Sequence, residues 1–184
     1  HKKTRNETSV AAGFIRPANL YRVAENCYQC HTVPNEKLVN VGGHPAGSKF
    51  ELVAWTQGEV RHNVWYTKDN NFASSNRQRL MYVLGQVLDL EFALRGVAKA
   101  TEKAKYAVAM AKRAKIAEKR IQKITELVDI PELKEILAIA GAARLKLNNE
   151  EQLLDAANAV KEQAVALATN HDGGAFQNLD PLLP

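Results

Sequence analysis

The second half of the chain carries a long helical pattern of hydrophobic positions. Between residues 75 and 128, apolar side chains recur every three or four residues and no proline interrupts them. This spacing places the apolar side chains on one face of an α-helix. The pattern predicts one long helix, because Gly85 and Gly96 weaken it only locally. A break near Lys99–Lys105 is the alternative, although no strong local stop signal marks it.

Two shorter helices are predicted after the long one. The first follows Asp129 as its cap, has Pro131 in its first turn and ends near Gly141. The second covers residues 150–169 and starts after one of two adjacent asparagines. The last residues, 179–184, are predicted to be extended.

Both cysteines of the chain belong to one motif, Cys27-Tyr28-Gln29-Cys30-His31. This is C-x-x-C-H, the attachment signature of c-type haem. Two thiols at this spacing can form thioether bonds to the two vinyl groups on one edge of the porphyrin. The imidazole of the next residue then becomes the proximal axial ligand of the iron. The motif predicts one covalent haem c with its iron.

Two other chemistries are open to the same cysteines. A redox disulfide of the thioredoxin type is expected after a strand in a βαβ unit, and no such unit is predicted here. A tetrahedral zinc site needs two further ligands, and the chain has no second pair of cysteines. Both remain weaker hypotheses than haem attachment.

His62 is the favoured sixth ligand of the iron. A helix is predicted to begin after Ser48, with Glu51 completing a capping box. On this helix Trp55 and His62 share one face. Gly58, one turn before the histidine, would leave room for a porphyrin.

His44 is the second candidate for the sixth ligand. It lies in a loop with three glycines and Pro45, and the proline favours an extended backbone before it. A five-coordinate iron, with His44 or His62 lining an open distal pocket, is a third possibility. The weaker candidates are Met81 and Met110, at core-like helical positions, and His1 and His171.

Aromatic residues around the motif are candidates for the wall of a haem pocket. An apolar wall disfavours the more positive oxidised iron and so raises the reduction potential. The alternative is that these side chains only fill the core. They are Tyr21, Tyr28, Trp55, Trp65 and Tyr66.

Residues 20–66 resemble the multihaem c-type cytochromes of respiratory nitrogen and sulfur metabolism. The resemblance is carried by Asn26–Pro34, Gly42–Ser48 and Gln57–Asn63. It implies a haem-binding segment and export from the cytoplasm, because c-type haems are attached outside the cytoplasm. The chain departs from these proteins by having a single haem motif. It also departs from small soluble cytochromes c, which end in a helix packed near the haem and usually have a methionine as sixth ligand, and its motif is not near the C-terminus as in cytochromes c-prime.

Charge is unevenly distributed, although the chain has a formal net charge of only +5. Residues 95–123 hold ten basic and two acidic side chains, a net +8, whereas residues 124–184 hold four basic and ten acidic, a net −6. These blocks are expected to pair partly within the molecule. The other interpretation is a basic docking surface for an acidic partner. No readout motif suggests nucleic acid, and no uncharged apolar run is long enough to span a membrane.

The predicted fold class is mainly α, with a haem-binding segment followed by an antiparallel bundle of long helices. Residues 1–19 are expected to be a loose arm, residues 20–72 the haem segment and residues 73–184 the bundle. The favoured function is a periplasmic or otherwise exported cytochrome that carries single electrons between redox partner proteins. One alternative is a five-coordinate haem enzyme or gas-binding protein for nitrogen oxides or peroxide. Another is a cytochrome subunit docked, through its helices, in a homo- or hetero-oligomer or a larger redox complex.

Overall fold

The computed structural model describes residues 4–58 and 71–184. These residues form helices and no strands, which confirms a mainly α fold. No helix among them is long and apolar enough to cross a membrane. The helices are α1 (Arg5–Ala11), α2 (Leu20–His31), α3 (Glu36–Asn40), α4 (Leu52–Gln57), α5 (Ser75–Lys99), α6 (Lys105–Thr125), α7 (Pro131–Ala142) and α8 (Glu150–Asn170), followed by a 3-10 helix (Gln177–Leu182).

Helix α5 is the centre of a bundle-like fold. Its side chains Leu84, Val87 and Leu88 are fully buried, and it packs against α2, α4, α6 and α8. A helix that is hydrophobic on nearly all sides is stable only when other helices surround it. The approach to α6 is close at Gly96, where a Cβ would lie 2.6 Å from Cγ of Met110.

The prediction of one long helix is wrong, and the alternative break is confirmed. The chain leaves the helix between α5 and α6, and side chains of α3 hold the connection. The carboxylate of Glu36 accepts the backbone N–H of Thr101 at 2.9 Å, and Oδ1 of Asn40 accepts that of Tyr106 at 2.9 Å. Helix α6 has no side-chain cap of its own, so a distant residue satisfies a donor in its first turn. Contacts with α3, rather than the local sequence, therefore determine where the chain leaves the helix between α5 and α6.

The N-terminal arm contains a helix that the sequence analysis did not predict. Thr4 and Glu7 form a capping box at the start of α1, with the Glu7 N–H donating to Oγ1 of Thr4 at 3.2 Å. The Glu7 carboxylate accepts the N–H of Thr4 in return. No side chain of α1 is buried, so the capping box supports the helix locally.

The predicted capping box at Ser48 is also wrong. Helix α4 is short, and its N-cap is Glu51, whose carboxylate accepts the N–H of Ala54 at 2.7 Å. The carboxylate is therefore used as the cap itself. The hydroxyl of Ser48 is used elsewhere, on His31.

The later helices agree closely with the prediction, with differences at their ends. Pro131 is the first residue of α7, but the cap is Ile130 and the helix continues past Gly141. Helix α8 begins after Asn149 as expected. The end of the chain turns into the 3-10 helix where an extended segment was predicted, and Leu179 is buried there.

Candidate functional site

The three haem-motif residues lie on one face at the C-terminal end of α2. Residues three and four positions apart are neighbours on a helix, so Cys27 stands beside both Cys30 and His31. Cys27 is half-buried and its thiol donates to the carbonyl of Val23 at 3.4 Å, while Cys30 is exposed. No disulfide joins the two cysteines.

The imidazole of His31 is held in position by three side chains. Its Nδ1 lies 3.3 Å from Oγ of Ser48. Its ring stacks on Phe50 at a centroid distance of 4.3 Å and an interplanar angle of 16°, and the edge contact with Trp55 has a centroid distance of 5.1 Å. With Nδ1 facing the Ser48 hydroxyl, Nε2 is the ring nitrogen available to a metal.

Ser48 is itself fixed through its backbone. Its N–H donates to the carbonyl of His31 at 3.0 Å, and its own carbonyl accepts from Nη1 of Arg113 at 3.0 Å. Gly47 allows this approach, because its φ is +80° and a Cβ there would lie 3.2 Å from the carbonyl oxygen of Thr32. The loop before α4 is thus fastened both to the haem motif and to α6.

A buried ion pair anchors Arg113 in turn. Its Nε donates to Oδ1 of Asp89 on α5 at 2.5 Å, and both side chains are largely buried. Burial raises the pKa of the Asp89 carboxyl, and the positive charge of Arg113 opposes that rise. The position of Ser48 therefore depends on a charge pair between α5 and α6.

The candidate wall residues divide into two groups. Trp55 is 45% exposed and contacts His31, so it lies where a haem wall is expected. Tyr28 is buried in the core, with its ring edge against Phe50 at 5.0 Å and stacked near Phe92. Tyr21 is likewise buried, and its hydroxyl donates to Glu91. Trp65 and Tyr66 lie outside the described residues.

Of the two favoured candidates for the sixth ligand, the structure describes only one. His62 lies outside the described residues. His44 is exposed, and its Nδ1 donates to the carbonyl of Pro45 at 2.8 Å, which leaves Nε2 available. The loop that carries it is anchored by Lys105, which donates to the His44 carbonyl at 3.3 Å.

The weaker ligand candidates have structural roles where they are described. Met81 and Met110 are buried in the core, as their helical positions predicted. Nε2 of His171 lies 3.1 Å from the carboxylate of Glu132, where it joins the end of α8 to α7. His1 lies outside the described residues.

Sequence analysis did not identify the residues that hold the His31 imidazole in position. Ser48 was interpreted as a helix cap, and nothing in the sequence pointed to Phe50 or Arg113. The glycine- and proline-containing loop was the only available signal, and it indicated a loop without saying what the loop contacts.

No protein-family model, curated protein or solved structure matches this chain. Within residues 4–58 and 71–184, no group of three or more His, Cys, Asp and Glu side chains is arranged to hold a metal ion.

Proposed function

We propose that this chain is a c-type cytochrome with one covalent haem that carries single electrons between redox proteins. The observation that carries the proposal is the arrangement of Cys27, Cys30 and His31 on one face of α2, with Nδ1 of the imidazole facing Ser48. When bound, the haem supplies a one-electron redox centre. The protein's own part is to offer two thiols for attachment and to hold one imidazole nitrogen at the same edge of the helix.

The surroundings of the thiols favour attachment over disulfide redox chemistry. Reactive C-x-x-C cysteines have a lowered pKa, often because they lie at a helix N-terminus. Here the pair lies at the C-terminal end of α2, where the helix dipole disfavours a thiolate. Burial raises the pKa of the Cys27 thiol, and the neighbouring Cys30 raises it further. Both effects oppose a low-pKa redox cysteine.

The supports of His31 suit an axial ligand. A histidine that binds a metal commonly donates its other ring N–H to an oxygen, which fixes the tautomer and strengthens the ligand. Ser48 offers that oxygen, and Phe50 holds the ring plane by stacking. The same contacts would hold the imidazole in one orientation for a metal ligand.

The sixth ligand decides between an electron carrier and a haem enzyme. We propose His62, with His44 as the alternative, because either would close the iron to other ligands. A five-coordinate iron would instead favour a protein acting on nitrogen oxides or peroxide.

Visible absorption of the purified protein, with carbon monoxide added after reduction, separates these functions. We expect a c-type spectrum that carbon monoxide does not change, because both axial positions are occupied. His62→Ala should then react with carbon monoxide; if it does not, His44→Ala should. A wild-type protein that binds carbon monoxide at once would contradict the electron-carrier proposal and support the five-coordinate alternative.

A second variant tests the support of the axial histidine. We predict that Ser48→Ala keeps the haem covalently bound but raises its midpoint potential. Loss of the hydrogen bond at Nδ1 makes the imidazole a weaker donor to the oxidised iron. Redox titration measures the effect, and Ser75→Ala, an exposed serine on α5, is the control. An unchanged potential in Ser48→Ala would contradict this role.

We further propose that residues 73–184 form an antiparallel helical bundle that presents a docking surface. Contacts between α5 and α6 support this, because Arg113 meets Asp89 while Arg120 meets Gln86, so the residue numbers run in opposite directions. Between α5 and α8 the corresponding pairs are Lys99 with Glu150 and Arg95 with Asn158.

The basic side chains of α6 fit an acidic redox partner. Lys112 and Lys119 on α6, and Lys103 just before it, are exposed and form no ion pair with a carboxylate of the described residues. Association through such a surface would weaken as salt is added.

Attachment of a c-type haem further implies that the protein acts in the periplasm or another exported location.

A further inference from the structure

A cavity of about 640 Å³ opens between α5, α6 and the segment before α4. Its volume lies within the range of small-molecule sites, roughly 300–1,000 Å³. Cys27, Cys30 and His31 do not line this cavity, whereas Ser48 and Phe50, which contact the His31 imidazole, do, so the cavity lies beside the proposed haem attachment site.

One part of the cavity surface is apolar. Phe50 lines it from the segment before α4, Ala109 and Ile116 line it from α6, and Leu182 closes one end. Ile116 is 40% exposed, so a large aliphatic side chain meets solvent inside the cavity. Tyr82 adds a second aromatic ring to the lining. An apolar ligand body would remove these surfaces from water.

Three cations stand around this apolar surface. Lys112 and Arg120 lie on the same face of α6, with Ile116 between them, and Lys49 lies on the other side of the cavity. Neither lysine forms an ion pair with a carboxylate of the described residues. The only described hydrogen bond of Arg120 is a long one, 3.4 Å to the side chain of Gln86.

The two carboxyl groups in the lining do not cancel these cations. Asp89 is already paired with Arg113 at 2.5 Å. Glu51 uses one oxygen to accept the N–H of Ala54, while its other oxygen is buried without a hydrogen-bond partner. Burial raises the pKa of Glu51, which favours its neutral form. Even with Glu51 ionised, the basic side chains in the lining, Lys49, Lys112, Arg113 and Arg120, outnumber its two acidic side chains, so the cavity keeps an excess of positive charge.

We propose that this cavity binds a small organic anion of the aromatic carboxylate class. The carboxylate would lie against Lys112 and Arg120, with Lys49 adding to the attraction, and the ring would lie against Ile116 and Phe50. A charge-assisted contact and an apolar contact are both needed, so neither a neutral aromatic nor a small inorganic anion matches the site. This inference does not depend on the haem.

Calorimetric titration of the full chain with three probes tests the proposal. Benzoate carries both the ring and the charge, benzyl alcohol has the ring alone, and acetate has the charge alone. We expect saturable binding of benzoate, and binding of the other two weaker by about tenfold, the equivalent of one good contact. The proposal is overturned if benzoate shows no saturable binding, or if the three probes bind equally.

Charge-removing variants on α6 locate the binding. Arg120→Gln should weaken benzoate binding by about fivefold or more. Lys119→Gln is the matched control, because Lys119 is the exposed neighbour of Arg120 and does not line the cavity. Equal losses in the two variants would mean general attraction to a basic helix and would overturn the site. Binding to haem-free protein but not to haem-containing protein would overturn it too, since the cavity would then hold part of the haem.

Discussion

Replacing both Cys27 and Cys30 by serine is expected to abolish covalent haem attachment completely. In the proposed cytochrome each thiol would form one thioether bond, and without both bonds only coordination by His31 and the sixth ligand would hold the iron, which acid breaks. Haem extracted into acidic acetone should therefore rise from none in the wild type to all of the bound haem in the double variant. Each single variant keeps one thiol, so its haem should stay with the protein.

The same variants separate attachment from the disulfide alternative. A redox disulfide protein would show no haem absorption in the wild type, and the double variant would change only its count of reactive thiols. Retention of extraction-resistant haem in the double variant would contradict the role of the cysteines altogether.

Arg113→Gln is expected to destabilise the fold by about 3 kcal/mol at neutral pH. Removing one partner from a buried ion pair leaves the other charge without compensation, at a cost of roughly 3–5 kcal/mol. The variant also loses the bond from Arg113 to the carbonyl of Ser48. Urea unfolding measures the change in the free energy of unfolding.

The stability lost in Arg113→Gln is expected to depend on pH, because it involves the ionisation of Asp89. Without Arg113, burial raises the pKa of Asp89 further and only the charge of Arg120 still opposes it, so the carboxyl gains a proton in the folded state more readily than in the unfolded state. The destabilisation should therefore become smaller as the pH falls through the raised pKa of Asp89.

Arg113→Gln combined with Asp89→Asn should recover much of the lost stability. Lys115→Gln, which removes an exposed pair with Glu118, is the control and should cost at most about 1 kcal/mol. Equal costs for the two single variants would contradict the buried pair.

The features that local sequence determines were predicted well. Pro131 lies in the first turn of α7, α8 begins after Asn149, and Met110 is buried at its helical position. The three motif residues share a face of α2 because their spacing is local, although the helix itself was not predicted. Each of these depends on residues within about one helical turn.

The features that depend on distant contacts were not predicted. The break before α6 depends on Glu36 and Asn40, more than sixty residues earlier in the chain. The Ser48 hydroxyl was assigned to a helix cap, although it lies on the imidazole of His31, seventeen residues away. A hydroxyl can serve either purpose equally well, and only packing decides which.

The intact mass of the denatured protein, produced in a host that attaches c-type haem, tests the central claim most directly. Covalent attachment survives denaturation, so the account predicts a chain heavier by the mass of one haem. A chain of unmodified mass, or one lighter by the two hydrogens lost in a Cys27–Cys30 disulfide, would contradict it.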